Sequence, residues 1–484
     1  MKALTEFKHI IEAHGYSRQS LAAVGAFTGV PIDRLRAAAL TESPSPLNAL
    51  VRMFFLRLPI SEPLAAAAVA PFTLSELKRH GLVREDEGGW VGGLAIIPFA
   101  GLLTLRDFEP HETGVPLRTD HVLGVGLATS ILSTLTVRRR IAHALDIGAG
   151  QGFQSMIASG HAARVIGTDI NPRAIRVAQL ACELNGITNI EWREGSMLEP
   201  VSGEAPFDLI VSNPPFIISP PHDLSCLGGA SEGDSLVESL LREAPSRLAD
   251  GGFCTIVFNW HHSGGDDWRD RPRSWLARAG QDAWLIRLSS DSREDYARRW
   301  IHEAQLDAHG PAISFDDWVR YFDRLGVGRI SMGAAVLRAR RAPHARNWFR
   351  ADELAIDRCD GEAGDQIARI FANQTAVVEL PPDELAALSL RITPDHELRE
   401  RRVQSPGEGW RTLDATLRQT RGFDFEVRID THAATLLGGL DGSRPAGEAV
   451  AACARDFGAD PSHAVRQCPP FLSRMLGLGH LEIA

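Results

Sequence analysis

The chain has 484 residues, of which 44% are hydrophobic and 23% charged, with a formal net charge of −10. That length is too great for a single core and implies two or three domains, and the composition excludes a fibrous or low-complexity chain. The acidic balance gives no general attraction for polyphosphate, so any nucleic-acid binding must come from a local face.

Residues 1–16 mix charges with apolar residues at helical spacing and lack the continuous apolar stretch of a signal peptide. No apolar run is long enough to cross a bilayer, so a cytoplasmic protein is expected. Short helices are predicted at Leu4–Ala13, Arg18–Ala26, Ile32–Leu40 and Leu47–Leu56, with Ser17 capping the second. A helix over Thr73–His80 then stops at Gly81, and Leu82–Arg84 with Gly89–Gly92 reads as a hairpin around an acidic turn. Helices followed by a small hairpin predict a mainly helical, winged-helix-like domain over residues 1–115.

From about residue 116 the pattern alternates strand and helix. Strands are predicted at Ala144–Ile147, Val165–Asp169, Ile190–Arg193, Phe207–Val211, Phe253–Asn259, Trp284–Leu288 and Ile330–Arg338, with helices such as Ala174–Leu184 and Asp234–Leu248 between them. This alternation predicts an α/β domain with a Rossmann-like, doubly wound, mostly parallel sheet over residues 116–345. Arg341–Arg350, basic and interrupted by proline, reads as a connector. Residues 346–484 form a third, small α+β unit, again winged-helix-like. Its tail offers helices at Ala446–Phe457 and Ala464–Leu476 and ends on a short strand.

Two motifs within the middle domain carry the chemistry. The strand Ala144–Ile147 leads into Gly148-Ala149-Gly150-Gln151-Gly152 and then a helix. Glycines let a tight turn bring backbone N–H groups close to a ligand. The following strand ends at Asp169, about the spacing at which a carboxylate meets a ribose diol. The loop lacks both the dinucleotide fingerprint and a Walker lysine, so a nucleoside without pyrophosphate fits better. The second motif, Asn213-Pro214-Pro215-Phe216, closes the apolar run Phe207–Ser212. There an Asn carbonyl, a proline-fixed backbone carbonyl and an aromatic ring meet, a set suited to a planar group bearing an NH2. Asn213 and Pro214 accept its two N–H bonds, Phe216 stacks on its plane, and the two prolines make the turn rigid.

In these two motifs the chain resembles the class I S-adenosylmethionine-dependent methyltransferases, and within them the amino-methyltransferases with an Asn-Pro-Pro-aromatic motif. That group includes ribosomal RNA, DNA adenine and release-factor glutamine methyltransferases. The resemblance spans about residues 118–260 and implies S-adenosylmethionine as cofactor. It implies that Asp169, with Ile170 beside it, holds the ribose, and that Asp146 and the loop Gly148, Ala149, Gly150 and Gly152 line the methionine side. Asn213 adjoins the cofactor as well as the substrate. An acidic residue that the group often carries after the third strand is replaced by Glu194-Gly195-Ser196-Met197, so Ser196 and Met197 are expected at the adenine. The segment Arg118–Gly126 is either a lid over the site or a surface turn, and Ser219–Gly229 is a second candidate lid.

Other residues suit bland roles. Cys182, Cys226, Cys254, Cys359, Cys453 and Cys468 contain no Cys-x-x-Cys pair and read as reduced core residues. His261-His262 lacks a third ligand and reads as a polar loop, so no metal is expected. His222 is not needed as a base, because the amine becomes acidic as transfer proceeds. Trp260, Trp268, Trp275 and Trp284 either pack helices on the sheet or line a pocket.

The leading expectation is therefore methylation of an exocyclic amine of a base in RNA. The nearest rival is the amide of a protein glutamine. A small-molecule amine and a cofactor-sensing regulatory protein are further alternatives. The flanking modules favour a macromolecular substrate, RNA or protein.

Overall fold

A computed structural model describes residues 3–27, 32–115, 117–221, 232–278, 280–303, 313–355, 359–405, 407 and 409–484. Six helices come first: α1 Leu4–Ala13, α2 Arg18–Ala23, α3 Arg34–Leu40, α4 Pro46–Phe54, α5 Glu62–Val69 and α6 Leu74–Arg79. Ser17, Asp33, Ser45 and Thr73 cap four of them by accepting from the first-turn backbone. The expected hairpin pairs β1 (Val83–Asp86) with β2 (Gly89–Gly92), and a second, unexpected one pairs β3 (Ala95–Phe99) with β4 (Leu102–Arg106). Helix α5 was not foreseen, because its run of alanines carries little amphipathic signal.

After α7 (Pro110–Thr113) and α8 (Leu127–Leu135) the alternating domain begins. Its elements are β5 Ile141–Ile147, α9 Phe153–Ser159, β6 Ala162–Asp169, α10 Pro172–Asn185, β7 Ile190–Glu194, β8 Phe207–Ser212, α11 Ser235–Glu243, β9 Leu248–His262, α12 Asp270–Leu276, β10 Gln281–Ser292, α13 Arg293–Glu303, α14 Phe315–Leu325, β11 Arg329–Ala339 and β12 Phe349–Glu353. Eight strands form one sheet in the order β12-β10-β11-β9-β8-β5-β6-β7. Strand β11 alone runs against the others, pairing antiparallel with both β9 and β10. The sheet is thus Rossmann-like and mainly parallel, as expected. Strand β12 begins at the end of the segment read as a connector and lies beyond the boundary expected at residue 345. Tertiary pairing with β10 makes a strand of Phe349–Glu353, a stretch with no clear alternation.

The chain runs β5, β6, β7 outward on one side and returns to place β8 on the other side of β5. The order therefore reverses between β5 and β8, which is where open α/β sheets bind ligands beyond their strand ends. Ile147 lies beside Ser212, and the Ser212 hydroxyl donates to the Ile147 carbonyl at 2.8 Å. The two motifs consequently leave the sheet side by side.

The N-terminal unit does not stand apart. Phe7, Ile11 and Leu103 share one core cluster with Met156, Val177 and Ala181 of α9 and α10. The Asn185 side chain donates to Leu103 O at 2.9 Å and accepts from Leu103 N at 3.0 Å, as a paired strand would. Arg173 of α10 pairs bidentately with Asp107, a half-buried contact that joins the two units.

The C-terminal unit comprises β13 Cys359–Asp360, α15 Gly364–Glu379, α16 Pro382–Leu385, β14 Ser389–Ile392, β15 His396–Ser405, β16 Gly409–Gln419, β17 Gly422–Phe423, β18 Glu426–Ile429, α17 Thr431–Gly438, β19 Asp441–Pro445, α18 Ala446–Asp456, α19 Pro461–Gln467, α20 Pro469–Gly477 and β20 Leu481–Ile483. The single helix expected over Ala464–Leu476 is two, broken at Cys468-Pro469-Pro470, because proline cannot continue a helix from within. Helix α15 packs Ile367, Ile370 and Phe371 against Phe253, Trp284 and Trp348 on one face of the sheet.

Candidate active site

A cavity of about 920 Å³ opens at the switch point between β5 and β8. Its size suits a nucleoside-sized ligand with room for a second group. Asp146, Gly148, Ala149, Gly150, Asp169, Ile170, Ser196, Met197 and Asn213–Phe216 all line it, so residues spread over some seventy positions of sequence converge as expected.

Gly152 is the exception and corrects the expectation that the whole loop faces the ligand. It has φ +84, caps the start of α9, and a Cβ there would meet Trp192 at 2.7 Å and Ala178 at 2.9 Å. Its smallness serves packing of α9 against the sheet. Gly150, at φ +55, has nothing within 4 Å of its missing Cβ, and Gly148, at φ +68, meets only Pro214 at 4.0 Å. These two leave the cavity floor open where side chains would fill it.

The acidic groups are held firmly. Asp169 Oδ2 accepts from Gly150 N at 2.7 Å and Oδ1 from Asn171 N at 2.8 Å. Each oxygen keeps a lone pair for a ligand hydroxyl. Burial raises the Asp169 pKa, and the backbone hydrogen bonds oppose that rise. Asp146 is buried at the end of β5 and accepts from Ser155 N at 2.9 Å and Ser155 Oγ at 2.6 Å. Burial pushes its carboxyl up to about 7 against those two bonds.

At the other motif, Asn213 Nδ2 donates to Thr129 Oγ1 at 3.2 Å. Asn213 Oδ1 is buried and has no hydrogen-bonding partner. A buried amide oxygen left bare is costly unless a ligand satisfies it. Thr129 is in turn fixed through its carbonyl, which accepts from Gln154 Nε2 at 2.7 Å.

Comparison with known proteins shows the family. Residues 124–266 match the methyltransferase small domain family. Residues 22–93 and 371–481 match two domains of unknown function, DUF7059 and DUF7782. The chain is 33% identical over 215 residues to a release factor glutamine methyltransferase of Xylella fastidiosa, covering 41% of this chain and 71% of that protein. It is 39% identical over 162 residues to the protein of the same name from Aliivibrio fischeri, covering 33% of this chain and 49% of that one. A ribosomal RNA small subunit methyltransferase C of Chromohalobacter salexigens is 31% identical over 115 residues, 24% of this chain and 31% of that protein. The chain belongs to the class I S-adenosylmethionine-dependent N-methyltransferases, in the group of the release factor glutamine methyltransferases.

The cavity of this methyltransferase fits its cofactor, S-adenosylmethionine. The open glycine floor and the backbone-held Asp169 supply surfaces that a nucleoside bearing a charged sulfonium chain needs. Asp169 would hold the ribose and Ser196 and Met197 the adenine, while Asp146 with Gly148 and Gly150 would face the methionine side. Met197 sits at φ 47, and its carbonyl accepts from Thr168 Oγ1 at 3.3 Å. Ile170 is 63% exposed at the mouth.

Of the two candidate lids, Arg118–Gly126 contributes His121, Leu123, Gly124 and Gly126 to the cavity. His121 is buried between Asp107 and Glu109, at 3.7 and 3.6 Å. In the other, His222 and Asp223, like Cys226, lie outside the described residues. Trp260, Trp275 and Trp284 are fully buried and Trp268 packs against the cluster that holds the first two, so all four serve the core. His262 shares a hydrogen bond with Ser331 Oγ at 3.1 Å and His261 faces Asp234. Among the described residues no three His, Cys, Asp or Glu side chains gather as a metal site would require. No helix among them is long and apolar enough to cross a membrane.

Sequence reasoning missed Thr129, which orients Asn213, and the pair Asn259 and Tyr296, which line the cavity from β9 and α13. Their signal is positional only: Asn259 is a polar residue that interrupts the apolar run Ile256–Trp260.

Proposed function

We propose that this methyltransferase acts on the side-chain amide nitrogen of a glutamine in a protein. The observation that carries the reading is the bare, buried Asn213 Oδ1, fixed by Thr129 at the end of β8 and facing the cavity. The expectation of an RNA base gives way because relatives matching 41% and 33% of the chain are glutamine methyltransferases by name, while the ribosomal RNA methyltransferase matches 24%.

A carboxamide nitrogen is a poor nucleophile because its lone pair is delocalised into the carbonyl. Asn213 Oδ1 and the Pro214 carbonyl would accept its two N–H bonds and aim the lone pair out of the amide plane. As the nitrogen gains a methyl group it becomes positive and acidic, and the two acceptors stabilise that charge before a proton passes to water. Phe216 would lie against the flat face of the amide, and the prolines keep the acceptors in place beforehand. Bound S-adenosylmethionine would supply the electrophilic methyl, its S–CH3 bond breaking to leave a neutral thioether. Leu127, 66% exposed, and Ile170 stand at the mouth, an apolar rim suited to a macromolecule rather than a small polar metabolite.

The test is radiolabel transfer from S-adenosylmethionine into total protein and total RNA from cells lacking the gene. Label in protein that digests to a side-chain N-methylglutamine is expected. Label in RNA alone would overturn the reading.

A further inference from the structure

Beyond the amine-holding motif, the cavity has a second polar point. Asn259 lies on β9, is 2% exposed, and lines the same cavity. Its Nδ2 donates to Tyr296 Oη at 2.8 Å, and its Oδ1 is buried without a partner. Tyr296 Oη also accepts from Ile218 N at 3.1 Å, which ties the chain just after Asn213–Phe216 to the same hydroxyl. With both lone pairs engaged, the hydroxyl keeps only its proton to give. The site therefore offers one bare acceptor and one donor, both held by a closed network.

The register places this pair relative to Asn213. Ser212 of β8 lies beside Ile256 of β9, so Asn259 stands two residues further along than Asn213, on the face that also carries Val257. Two residues along the strand and one strand spacing across it together make roughly 8 Å. In an extended glutamine side chain, five bonds put roughly 6 Å between the amide nitrogen and the residue's own main-chain nitrogen. A nucleobase amine has no second N–H of a flexible chain at that reach, whereas a peptide always has one.

We infer that Asn259, oriented by Tyr296, is a substrate-binding residue that accepts the main-chain N–H of the glutamine whose side-chain amide sits at Asn213. The Tyr296 hydroxyl donates to a neighbouring main-chain carbonyl of the same peptide. The site thus reads a glutamine as part of a polypeptide, not as a free carboxamide. This inference rests on the proposed glutamine reading.

The test uses the full chain and a synthetic peptide bearing the labelled glutamine, alongside the same peptide with an ester oxygen replacing that main-chain N–H. For the unaltered chain, KM should rise about three- to tenfold with the ester peptide, the effect of one lost neutral hydrogen bond, with kcat little changed. Asn259→Ser should show the raised KM with the ordinary peptide and no further rise with the ester, while its affinity for S-adenosylmethionine stays that of the unaltered chain. Tyr296→Phe, which keeps the ring packing, should behave in the same direction. If the unaltered chain treats the two peptides alike, the inference falls and the glutamine reading stands. If label enters RNA alone, or neither fraction, both fall together.

Discussion

The two ends of the cavity are built on opposite principles. At the glycine-loop end every acidic group is already engaged: Asp169 by two backbone N–H groups, Asp146 by Ser155. At the Asn213 end two amide oxygens, those of Asn213 and Asn259, are buried and bare. The first end is a finished mould, stable without its ligand. The second is incomplete, and on the proposed reading a donor from the substrate completes it. A cofactor site gains by preorganisation because its ligand never varies. An acceptor site gains by leaving its oxygens unpaired, because a group lacking the matching N–H is then rejected by unsatisfied polar atoms.

Breaking the unfinished end should cost most. Asn213→Ala should lower the single-turnover rate by roughly 10²- to 10³-fold, as loss of one charge-stabilising acceptor does, while calorimetry finds cofactor affinity nearly unchanged. A variant that keeps its rate and loses affinity would reverse the assignment of the two ends. Breaking the finished end acts on binding instead. Asp169→Ala should weaken S-adenosylmethionine about ten- to hundredfold, since hydrogen bonds to a charged group contribute roughly 1.5–3 kcal/mol.

The glycines sharpen the contrast within one loop. Gly152→Ala drives a Cβ into Trp192 and Ala178, so unfolding should come about 1–3 kcal/mol sooner. Gly150→Ala meets no atom of the chain and should cost only about 1 kcal/mol of backbone strain, yet its methyl group enters the cavity and should weaken the cofactor. Denaturation and calorimetry on both variants separate packing from binding.

The smallest effect concerns Asp146. Its carboxyl is raised by burial from 3.8 to about 7, so the folded state favours the protonated form. That contribution is fully present below the ordinary value and is lost as pH rises from there through about 7. Asp146→Asn should therefore remove part of the fall in stability between pH 4.5 and 7.5. Parallel denaturation curves for the two proteins across that range would show that Asp146 ionises freely.

The sheet of the middle domain was legible because β5, β6, β8 and β9 are apolar runs bounded by glycine, Asn-Pro or charge, and such runs become buried parallel strands whatever surrounds them. Helix α10 was equally plain, with Asn171 and Pro172 at its start and Gly186 at its end. Strands β15 and β16 were hidden, because Arg and Glu along His396–Ser405 mask any alternation on a half-exposed hairpin. Strand β12 exists only because β10 offers it an edge.

The site divides in the same way. The sequence by itself determined the chemistry: the glycine turn, the acid one strand later and Asn-Pro-Pro-Phe specify a nucleoside cofactor and a flat nitrogen, since backbone freedom, charge and amide acceptors are properties of residues. Only the tertiary structure decided which groups stand at the cavity. Crossing at the switch point set Gly150 toward the cavity and Gly152 toward Trp192, seated Thr129 behind Asn213, and brought Asn259 of β9 under Tyr296 of α13. The direction a side chain faces depends on strand register and on neighbours far along the chain, and no local stretch of sequence carries that information.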